Sequence, residues 1–278
     1  MKGKFFEQNT PLLFAHRGAS SIAPENTRAS FQKALETGCR GIELDVHLTK
    51  DGQLAVIHDS TLSRTCRIRD SQTGQYSAAP HLKVEDLTLK EIKEFDAGIW
   101  FSSSFEGEQV QSLEEVLDMF GDDVFVDIEM KSSSFFCKSL AFETAKVLEC
   151  RNKGNYMVSS FNPASLFHFK HMSAIPTALI YAYNNEVPAY LRRGQGRFLC
   201  RPDILKPAWH DYKVPFSKEG IEMYLERNVS GIKKTGRPVF FWTVDDPDIA
   251  QFLVNAGAKG IITNKPQVLK ELPCFSQL

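Results

Sequence analysis

The sequence lacks the cysteine pattern of a thiolate metal site or a disulfide scaffold. Its 278 residues include six cysteines, and these form no CxxC pair. They are Cys39, Cys66, Cys137, Cys150, Cys200 and Cys274. A chain of this length can build a core without cross-links, so we expect reduced, mostly buried thiols and a cytoplasmic setting. We do not expect a zinc site made from these cysteines.

Long apolar runs are also missing. No stretch approaches the roughly 18 apolar residues that a membrane span requires. The basic start of the chain is interrupted by Glu7, Gln8 and Asn9 before the apolar core of a signal peptide can form. We therefore expect no transmembrane segment and no signal peptide, which again favours the cytoplasm.

Neither sign of charge dominates. The chain has 33 lysines and arginines against 34 aspartates and glutamates, a formal net charge of -1. Such a chain has no broad basic field for nucleic acid, so we expect no nucleic-acid partner. Any anion must bind at a focused local site, and the oligomeric state stays open.

Short apolar runs alternate with helix-like segments along most of the chain. Strands are predicted at 12–15, 41–46, 54–57, 124–129, 156–160, 177–181, within 198–207, 239–244 and 260–263. Helices are predicted at 27–38, 136–148, 164–169, 219–226, 248–256 and 267–272. About eight parallel strands with intervening helices indicate a (β/α)₈ TIM barrel, which needs about 250 residues.

We expect residues 1–278 to form one domain. Residues from about 60 to 110 lack periodicity, which predicts a small insertion subdomain after the second strand. An open doubly wound sheet is the alternative fold. No glycine fingerprint of a nucleotide-binding sheet supports it.

Acidic residues stand at the ends of two predicted strands. Glu43 and Asp45 are two residues apart, so both carboxylates face one side of a strand, and Glu129 ends the next parallel strand. Three carboxylates without a thiolate suit one divalent cation, Mg²⁺ or Ca²⁺. The alternative is that Glu43 and Asp45 only form ion pairs with Arg17 and Lys131.

Two histidines follow strands at the same predicted edge. His16 and His58 could move protons near neutral pH, because an unperturbed imidazole titrates near pH 6.5. Arg17 and Lys131 supply positive charge that can bind a phosphate group. Trp242 stands where it could wall the pocket, although an aromatic residue on a barrel strand more often belongs to the core. Together these residues predict metal-assisted chemistry on a phosphate ester.

The motifs resemble those of the glycerophosphodiester phosphodiesterase family across nearly the whole chain. The most specific ones are His16-Arg17-Gly18, Pro24-Glu25-Asn26-Thr27, Gly41-Ile42-Glu43-Leu44-Asp45-Val46, Thr49-Lys50-Asp51-Gly52 and Val56-Ile57-His58-Asp59. Later ones are Leu87-Thr88, Phe95-Asp96-Ala97-Gly98, Asp127-Ile128-Glu129-Met130-Lys131, Ser160-Phe161, Trp242-Thr243-Val244 and Gly260-Ile261-Ile262-Thr263. The last strand ends at Asn264, where the family usually has aspartate, and no proline precedes Ser112, where the family commonly has one.

The resemblance implies a metal-dependent barrel enzyme that splits glycerophosphodiesters into glycerol 3-phosphate and an alcohol. By the family pattern, His16 and His58 form the acid–base pair, and Glu43, Asp45 and Glu129 hold Mg²⁺ or Ca²⁺. Arg17 and Lys131 would contact phosphate, and Glu25 and Asn26 would shape the first loop. The sequence leaves open which histidine is the first base.

Other functions remain alternatives at this stage. One is activity on lysophospholipids, since Phe95, Trp100, Phe101 and Phe105 make the insertion rich in aromatic residues. Another is a barrel that binds anions without catalysis, and a third is a barrel aldolase or isomerase. The reaction we expect proceeds in two stages, with a cyclic phosphate opened by water.

Overall fold

A computed structural model describes residues 10–132, 134, 138–151, 154–182, 188–189, 191–209 and 235–275. The helix predicted at 219–226 lies outside these residues, and so do Cys137, His210 and the first nine residues of the chain.

The described strands form one large sheet and one small hairpin. They are β1 (Leu12–His16), β2 (Gly41–Leu48), β3 (Leu54–Val56), β4 (Arg67–Arg69), β5 (Tyr76–Ala78), β6 (Phe125–Met130), β7 (Asn155–Ser160), β8 (Thr177–Tyr181), β9 (Ile204–Pro207), β10 (Phe240–Phe241) and β11 (Gly260–Thr263). The large sheet has the order β10-β11-β1-β2-β6-β7-β8-β9, with β3 beside β2.

The large sheet closes on itself as a nearly complete barrel. Its eight ordered strands pair in parallel, while β3 runs antiparallel to β2. Single parallel bridges, Leu205 to Val239 and Ala208 to Trp242, join β9 to the β10 region. The predicted (β/α)₈ barrel is confirmed, and the open-sheet alternative is wrong.

Helices lie between the barrel strands, and several begin at a polar residue whose side chain caps the helix. They are α1 (Arg28–Glu36), α2 (Leu89–Ile92), α3 (Leu113–Leu117), α4 (Ser139–Glu149), α5 (Pro163–Met172), α6 (Arg197–Cys200), α7 (Pro247–Asn255) and α8 (Pro266–Leu269). Thr27 caps α1 by accepting a hydrogen bond from the Ser30 backbone N–H. Asn162 and Asp246 cap α5 and α7, each followed by proline at the first helical position.

The inward-facing residues of the strands change from apolar to polar along the barrel, which divides its interior into an apolar half and a polar half. On β1, Leu12 and Phe14 belong to the apolar cluster inside the barrel, whereas His16 lines the cavity above it. On β6, Phe125 lies in that same cluster and Glu129 lines the cavity. The polar side chains therefore gather at the carboxyl ends of the strands, where barrels carry their active sites.

The segment between β3 and α3 contains short elements of its own. It holds the antiparallel β4–β5 hairpin, α2, and two 3₁₀ turns at Val84–Asp86 and Ser103–Phe105. Leu62, Cys66 and other residues of this segment form an apolar cluster separate from the barrel core. The segment thus brings a small core of its own to the rim of the barrel.

The five described cysteines are free thiols. Among the described residues, none of the helices has the length and apolar character needed to cross a bilayer.

Candidate active site

A cavity of about 600 Å³ opens at the carboxyl ends of the barrel strands. Most of the predicted site residues line it, namely His16, Arg17, Glu43, His58, Glu129, Lys131 and Trp242. The remaining predicted residue, Asp45, is fully buried and contacts two of them, Arg17 and Lys131. The barrel therefore brings together side chains that lie up to 226 positions apart in the sequence, because successive strands end at one rim.

The three predicted metal ligands form a compact buried cluster. Glu43, Asp45 and Glu129 each offer a carboxylate oxygen, and these oxygens lie within 4.8 Å of one another. The strand register explains this arrangement, because Asp45 of β2 stands directly beside Glu129 of β6. Glu43 lies two residues before Asp45 and therefore shares its inward face.

Two cationic side chains reach this cluster. Lys131 Nζ lies 3.1 Å from Asp45 Oδ1 and 2.6 Å from Glu129 Oε1, and Arg17 Nε lies 3.2 Å from Asp45 Oδ2. Burial would raise the pKa of Asp45, but Lys131 and Arg17 outweigh it and hold that pKa far below its usual range. Asp45 therefore forms ion pairs with both Arg17 and Lys131. Glu43 differs, because it contacts Arg17 through the backbone N–H, at 3.1 Å.

The donor set fits a divalent cation. Although Lys131 is within ion-pair distance, Asp45 Oδ1 and Glu129 Oε1 accept no hydrogen bond of good geometry from the described residues. Burial, and then the charge of Asp45, raises the pKa of Glu43 well above its usual value. Three carboxylates face two cationic side chains, which leaves an excess of negative charge. Oxygen ligands of this kind suit Mg²⁺ or Ca²⁺.

His16 is held in one tautomer by the last barrel strand. Its Nδ1 donates to Asn264 Oδ1 at 2.7 Å, while Asn264 Nδ2 donates to Asp245 Oδ2, also at 2.7 Å. The contact with Asp245 fixes which end of the amide faces His16. Nε2 is therefore free of the proton and lies 4.0 Å from Glu43 Oε2. Burial, followed by the nearby Arg17, lowers the pKa of His16 to about 3, so the ring is neutral at pH 7.

His58 faces the same cavity with a different partner. Its Nδ1 donates to Asp59 Oδ1 at 2.6 Å, because a carboxylate can only accept. This contact, and then Arg64, lowers the pKa of Asp59 despite partial burial. The two imidazoles thus differ: His16, with its side chain 14% exposed, lies against a neutral amide, while His58, 30% exposed, lies against a carboxylate.

The first loop holds Arg17 in a conformation that few side chains adopt. Arg17 has φ 57° and Gly18 has φ 82°. A Cβ at position 18 would lie 2.4 Å from Ser30 Oγ, so only glycine fits there. Glu25 accepts a hydrogen bond from Arg17 Nη1 at 2.9 Å, and Asn26 Nδ2 donates to Asp45 Oδ2 at 2.8 Å. Both loop residues therefore support site residues directly.

A buried triad below the carboxylates is not indicated by the sequence pattern. Lys206 Nζ is paired with Asp127 and donates to Ser159 Oγ at 3.1 Å, and Ser159 donates to Asp127 at 2.6 Å. Burial opposes the charge on Lys206, but Asp127, then Glu43, outweighs it and raises the lysine pKa. The two-residue period places Asp127 on the face of Glu129. Lys206 lies on β9, a strand of four residues that the sequence locates only within 198–207.

Aromatic side chains wall one side of the cavity. The rings of Phe161 and Trp242 meet edge to face with centroids 5.4 Å apart, and Lys131 Nζ lies 6.0 Å from the Phe161 centroid. Trp242 Nε1 donates to the Lys206 carbonyl at 2.9 Å, which fixes the indole. Trp242 thus lines the cavity, as predicted, and also packs on the inner apolar cluster.

Two strand-end residues take other positions. Ser160, at the end of β7, donates to the Met130 carbonyl and borders a neighbouring groove. Asp245 accepts hydrogen bonds from Thr263 and Asn264, so it supports His16 through Asn264.

Comparison with known proteins agrees with this geometry. The sequence profile of the Glycerophosphoryl diester phosphodiesterase family matches residues 16–268. The chain is 36% identical over 264 residues to a glycerophosphodiester phosphodiesterase of Caldanaerobacter subterraneus subsp. tengcongensis, covering 94% of this chain and 97% of the relative.

Solved structures show the same fold. An Oleispira antarctica phosphodiesterase in complex with the product sn-glycerol-3-phosphate has a TM-score of 0.75 at 24% identity, covering 94% of this chain and 96% of that one. A Thermotoga maritima glycerophosphodiester phosphodiesterase has a TM-score of 0.65 at 26% identity, covering 94% and 97%. The resemblance predicted from the motifs is confirmed, and the chain belongs to the glycerophosphoryl diester phosphodiesterase family.

Proposed function

We propose that this enzyme hydrolyses glycerophosphodiesters to sn-glycerol 3-phosphate and an alcohol, by histidine acid–base catalysis with a divalent cation. One observation carries the proposal. Two imidazoles, one bonded to an amide and the other to a carboxylate, line the same cavity as two cationic side chains and a cluster of three carboxylates. A phosphodiester needs a proton acceptor, a proton donor and positive charge near phosphorus, and this cavity offers all three.

The charged residues divide between the phosphate and the cation. Arg17 and Lys131 would bind phosphate oxygens, Arg17 with its planar fork and Lys131 as a point charge. Glu43, Asp45 and Glu129 would hold one Mg²⁺ or Ca²⁺. When bound, the ion supplies charge neutralisation to the phosphate and fixes the orientation of the glycerol hydroxyls.

The first stage forms a cyclic phosphate. His16 Nε2, which carries no proton, takes the proton of the glycerol 2-hydroxyl as its oxygen bonds to phosphorus. His58, whose Nδ1 donates to Asp59, gives a proton from Nε2 to the departing alcohol oxygen as the ester bond breaks. In the second stage His58 takes a proton from water as the water oxygen bonds to phosphorus, and His16 returns its proton to the glycerol 2-oxygen as the bond between that oxygen and phosphorus breaks.

The space around Lys131 accommodates both arms of a phosphodiester. A groove of about 490 Å³ shares Glu129, Lys131 and Phe161 with the main cavity. Its rim carries Lys83 and Glu85, which are polar and half-exposed. We propose that glycerol occupies the main cavity beside the carboxylates and that the alcohol lies in the groove. This polar groove favours a small polar alcohol over an acyl chain.

Release of glycerol 3-phosphate from glycerophosphocholine tests the proposed activity. We expect turnover by the wild-type enzyme, loss with a chelator, and recovery when Mg²⁺ or Ca²⁺ is restored. His16→Ala and His58→Ala should each lose most activity. His171→Ala is the matched control, because His171 is exposed on α5 and hydrogen-bonds within its own helix. Full activity of His16→Ala, or turnover indifferent to chelator, would contradict the proposal.

The cyclic intermediate has its own test. A substrate analogue without the glycerol 2-hydroxyl cannot form the ring, so we expect it to resist hydrolysis while still competing with glycerophosphocholine. Rapid hydrolysis of that analogue would instead show direct attack by water.

A further inference from the structure

We propose that Arg64 is a positioning residue that aligns His58 and Arg17 on the same substrate phosphate, and this inference rests on the proposed function. Arg64 belongs to the segment between β3 and α3, outside the barrel strands. It contacts neither imidazole nor carboxylate cluster directly, and acts through Asp59 and Glu25. We refer to Glu25, Asp59 and Arg64 together as the Arg64 clamp.

One guanidinium binds two carboxylates, using four hydrogen bonds. Arg64 donates to Asp59 through Nε at 2.6 Å and Nη2 at 3.0 Å. It donates to Glu25 through Nη1 at 2.9 Å and Nη2 at 2.7 Å. Each carboxylate therefore receives a bidentate contact, which fixes its direction as well as its position. Lysine has a single nitrogen and cannot reproduce this geometry.

Each carboxylate of the Arg64 clamp also accepts a hydrogen bond from one residue of the site and so orients that residue. Asp59 Oδ1 accepts from His58 Nδ1, which leaves His58 Nε2 for proton transfer. Glu25 Oε1 accepts from Arg17 Nη1, and Arg17 Nε in turn contacts Asp45. A continuous series of alternating charges thus runs from Asp45 to His58, with Arg64 near its centre.

The backbone around Arg64 is fixed independently of these contacts. Leu62 and Cys66 on either side are fully buried in the small apolar cluster of this segment. Arg67 Nη1 donates to the Arg64 carbonyl at 3.1 Å. The backbone N–H of Arg67 donates to the Asp96 carbonyl, and the backbone N–H of Asp96 donates to the Arg67 carbonyl. Since the Arg64 side chain is 42% exposed, its replacement should leave the fold intact.

Steady-state kinetics of Arg64→Gln and Arg64→Lys test the proposal. Because misplacing a reacting group can cost on the order of 100-fold in rate, we expect Arg64→Gln to lower kcat by about 10- to 100-fold and to raise KM. Asp59→Asn should mainly lower kcat, and Glu25→Gln should mainly raise KM. Arg64→Lys should not restore either constant. Arg69→Gln is the matched control, since Arg69 is an exposed arginine on β4.

A measurement without turnover separates this inference from the proposed reaction. The ring ¹⁵N shifts of His58, at about pH 8, report which nitrogen carries the proton. We expect the Nδ1–H form in the wild type and in Arg69→Gln, and a mixture of tautomers in Arg64→Gln. This result would support the Arg64 clamp even if glycerophosphodiesters proved not to be substrates.

Three results would overturn the inference. The first is a His58 tautomer unchanged in Arg64→Gln. The second is Arg64→Lys with the kinetic constants of the wild type. The third is Arg64→Gln that loses thermal stability while kcat and KM at low temperature stay within about twofold of the wild type, a change too small for a misplaced reacting group.

Discussion

Removing the charge of Lys206 tests whether the barrel floor depends on a buried ion pair. Lys206 and Asp127 are in contact, with side chains 2% and 0% exposed. Lys206→Met keeps the length and most of the apolar stem of the side chain. It leaves Asp127 with Ser159 as its hydrogen-bond donor and with no cation against it. A buried carboxylate in that position is strongly unfavourable.

The expected loss follows from how completely both partners are buried. Breaking a buried pair by removing one partner costs about 3–5 kcal/mol, whereas replacing both partners is often close to neutral. Against the roughly 5–15 kcal/mol by which a typical protein is stable, that loss is large. The double variant Lys206→Met with Asp127→Asn removes both charges and keeps a polar group beside Ser159. It should recover most of the lost free energy of unfolding.

The loss in Lys206→Met should depend on pH. Burial already raises the pKa of Asp127 in the folded protein, and loss of the Lys206 charge, which opposes that rise, raises it further above the unfolded value. The folded state then binds the proton more tightly than the unfolded state, so stability falls as the pH rises through that window. We therefore expect a larger deficit relative to the wild type at about pH 8 than at about pH 5.

Urea unfolding followed by circular dichroism, at both pH values, provides the measurement. The free energies of unfolding of the wild type, Lys206→Met and the double variant are compared after fitting all three with one common slope against urea concentration. The reasoning is refuted if Lys206→Met is within about 1 kcal/mol of the wild type, since a buried pair should cost several times more. It is also refuted if the double variant is no more stable than the single one.

Further predictions concern the site itself. Glu129→Gln should weaken Mg²⁺ or Ca²⁺ binding in calorimetry by about tenfold or more, as loss of a charged oxygen ligand requires; unchanged affinity would remove Glu129 from the proposed ligands. His58→Ala should release p-nitrophenol rapidly in a single turnover when that is the leaving alcohol, because it needs no protonation, whereas His16→Ala should not; equally rapid release by both variants would contradict the assigned roles. Asn264→Asp would place a carboxylate 2.7 Å from Asp245, so its stability should fall as the pH rises, measured by thermal melting at several pH values; a melting temperature that tracks the wild type would contradict this.

The barrel was predictable because its elements carry strong local signals. The strands predicted at 177–181 and 260–263 match β8 and β11, since each is a short apolar run next to turn residues. The helix after Thr27 begins where its capping residue indicates. The strand predicted at 239–244 is shorter in the structure, because only Phe240 and Phe241 pair regularly and the flanking residues form single bridges.

The position of the candidate site was predictable, but not its supporting contacts. Alternation along β2 placed Glu43 and Asp45 on one face, and parallel strands brought Glu129 beside them. The hydrogen bond between His16 and Asn264 joins residues 248 positions apart, and no local pattern indicates which side chains meet across such a distance. Arg64 lies in a segment without periodicity, so its contacts depend on how that segment folds against the barrel.

The separation of the barrel interior into two halves has a practical consequence for protein engineering. Phe14 and Phe240 pack together in the lower half, with ring centroids 5.7 Å apart, and neither lines the cavity that holds the histidines and carboxylates. Volume-conserving substitutions in that lower half can therefore be selected for heat resistance without disturbing the groups that handle the substrate. A library confined to these inner aromatic and aliphatic positions would offer a route to a more robust catalyst with the same selectivity.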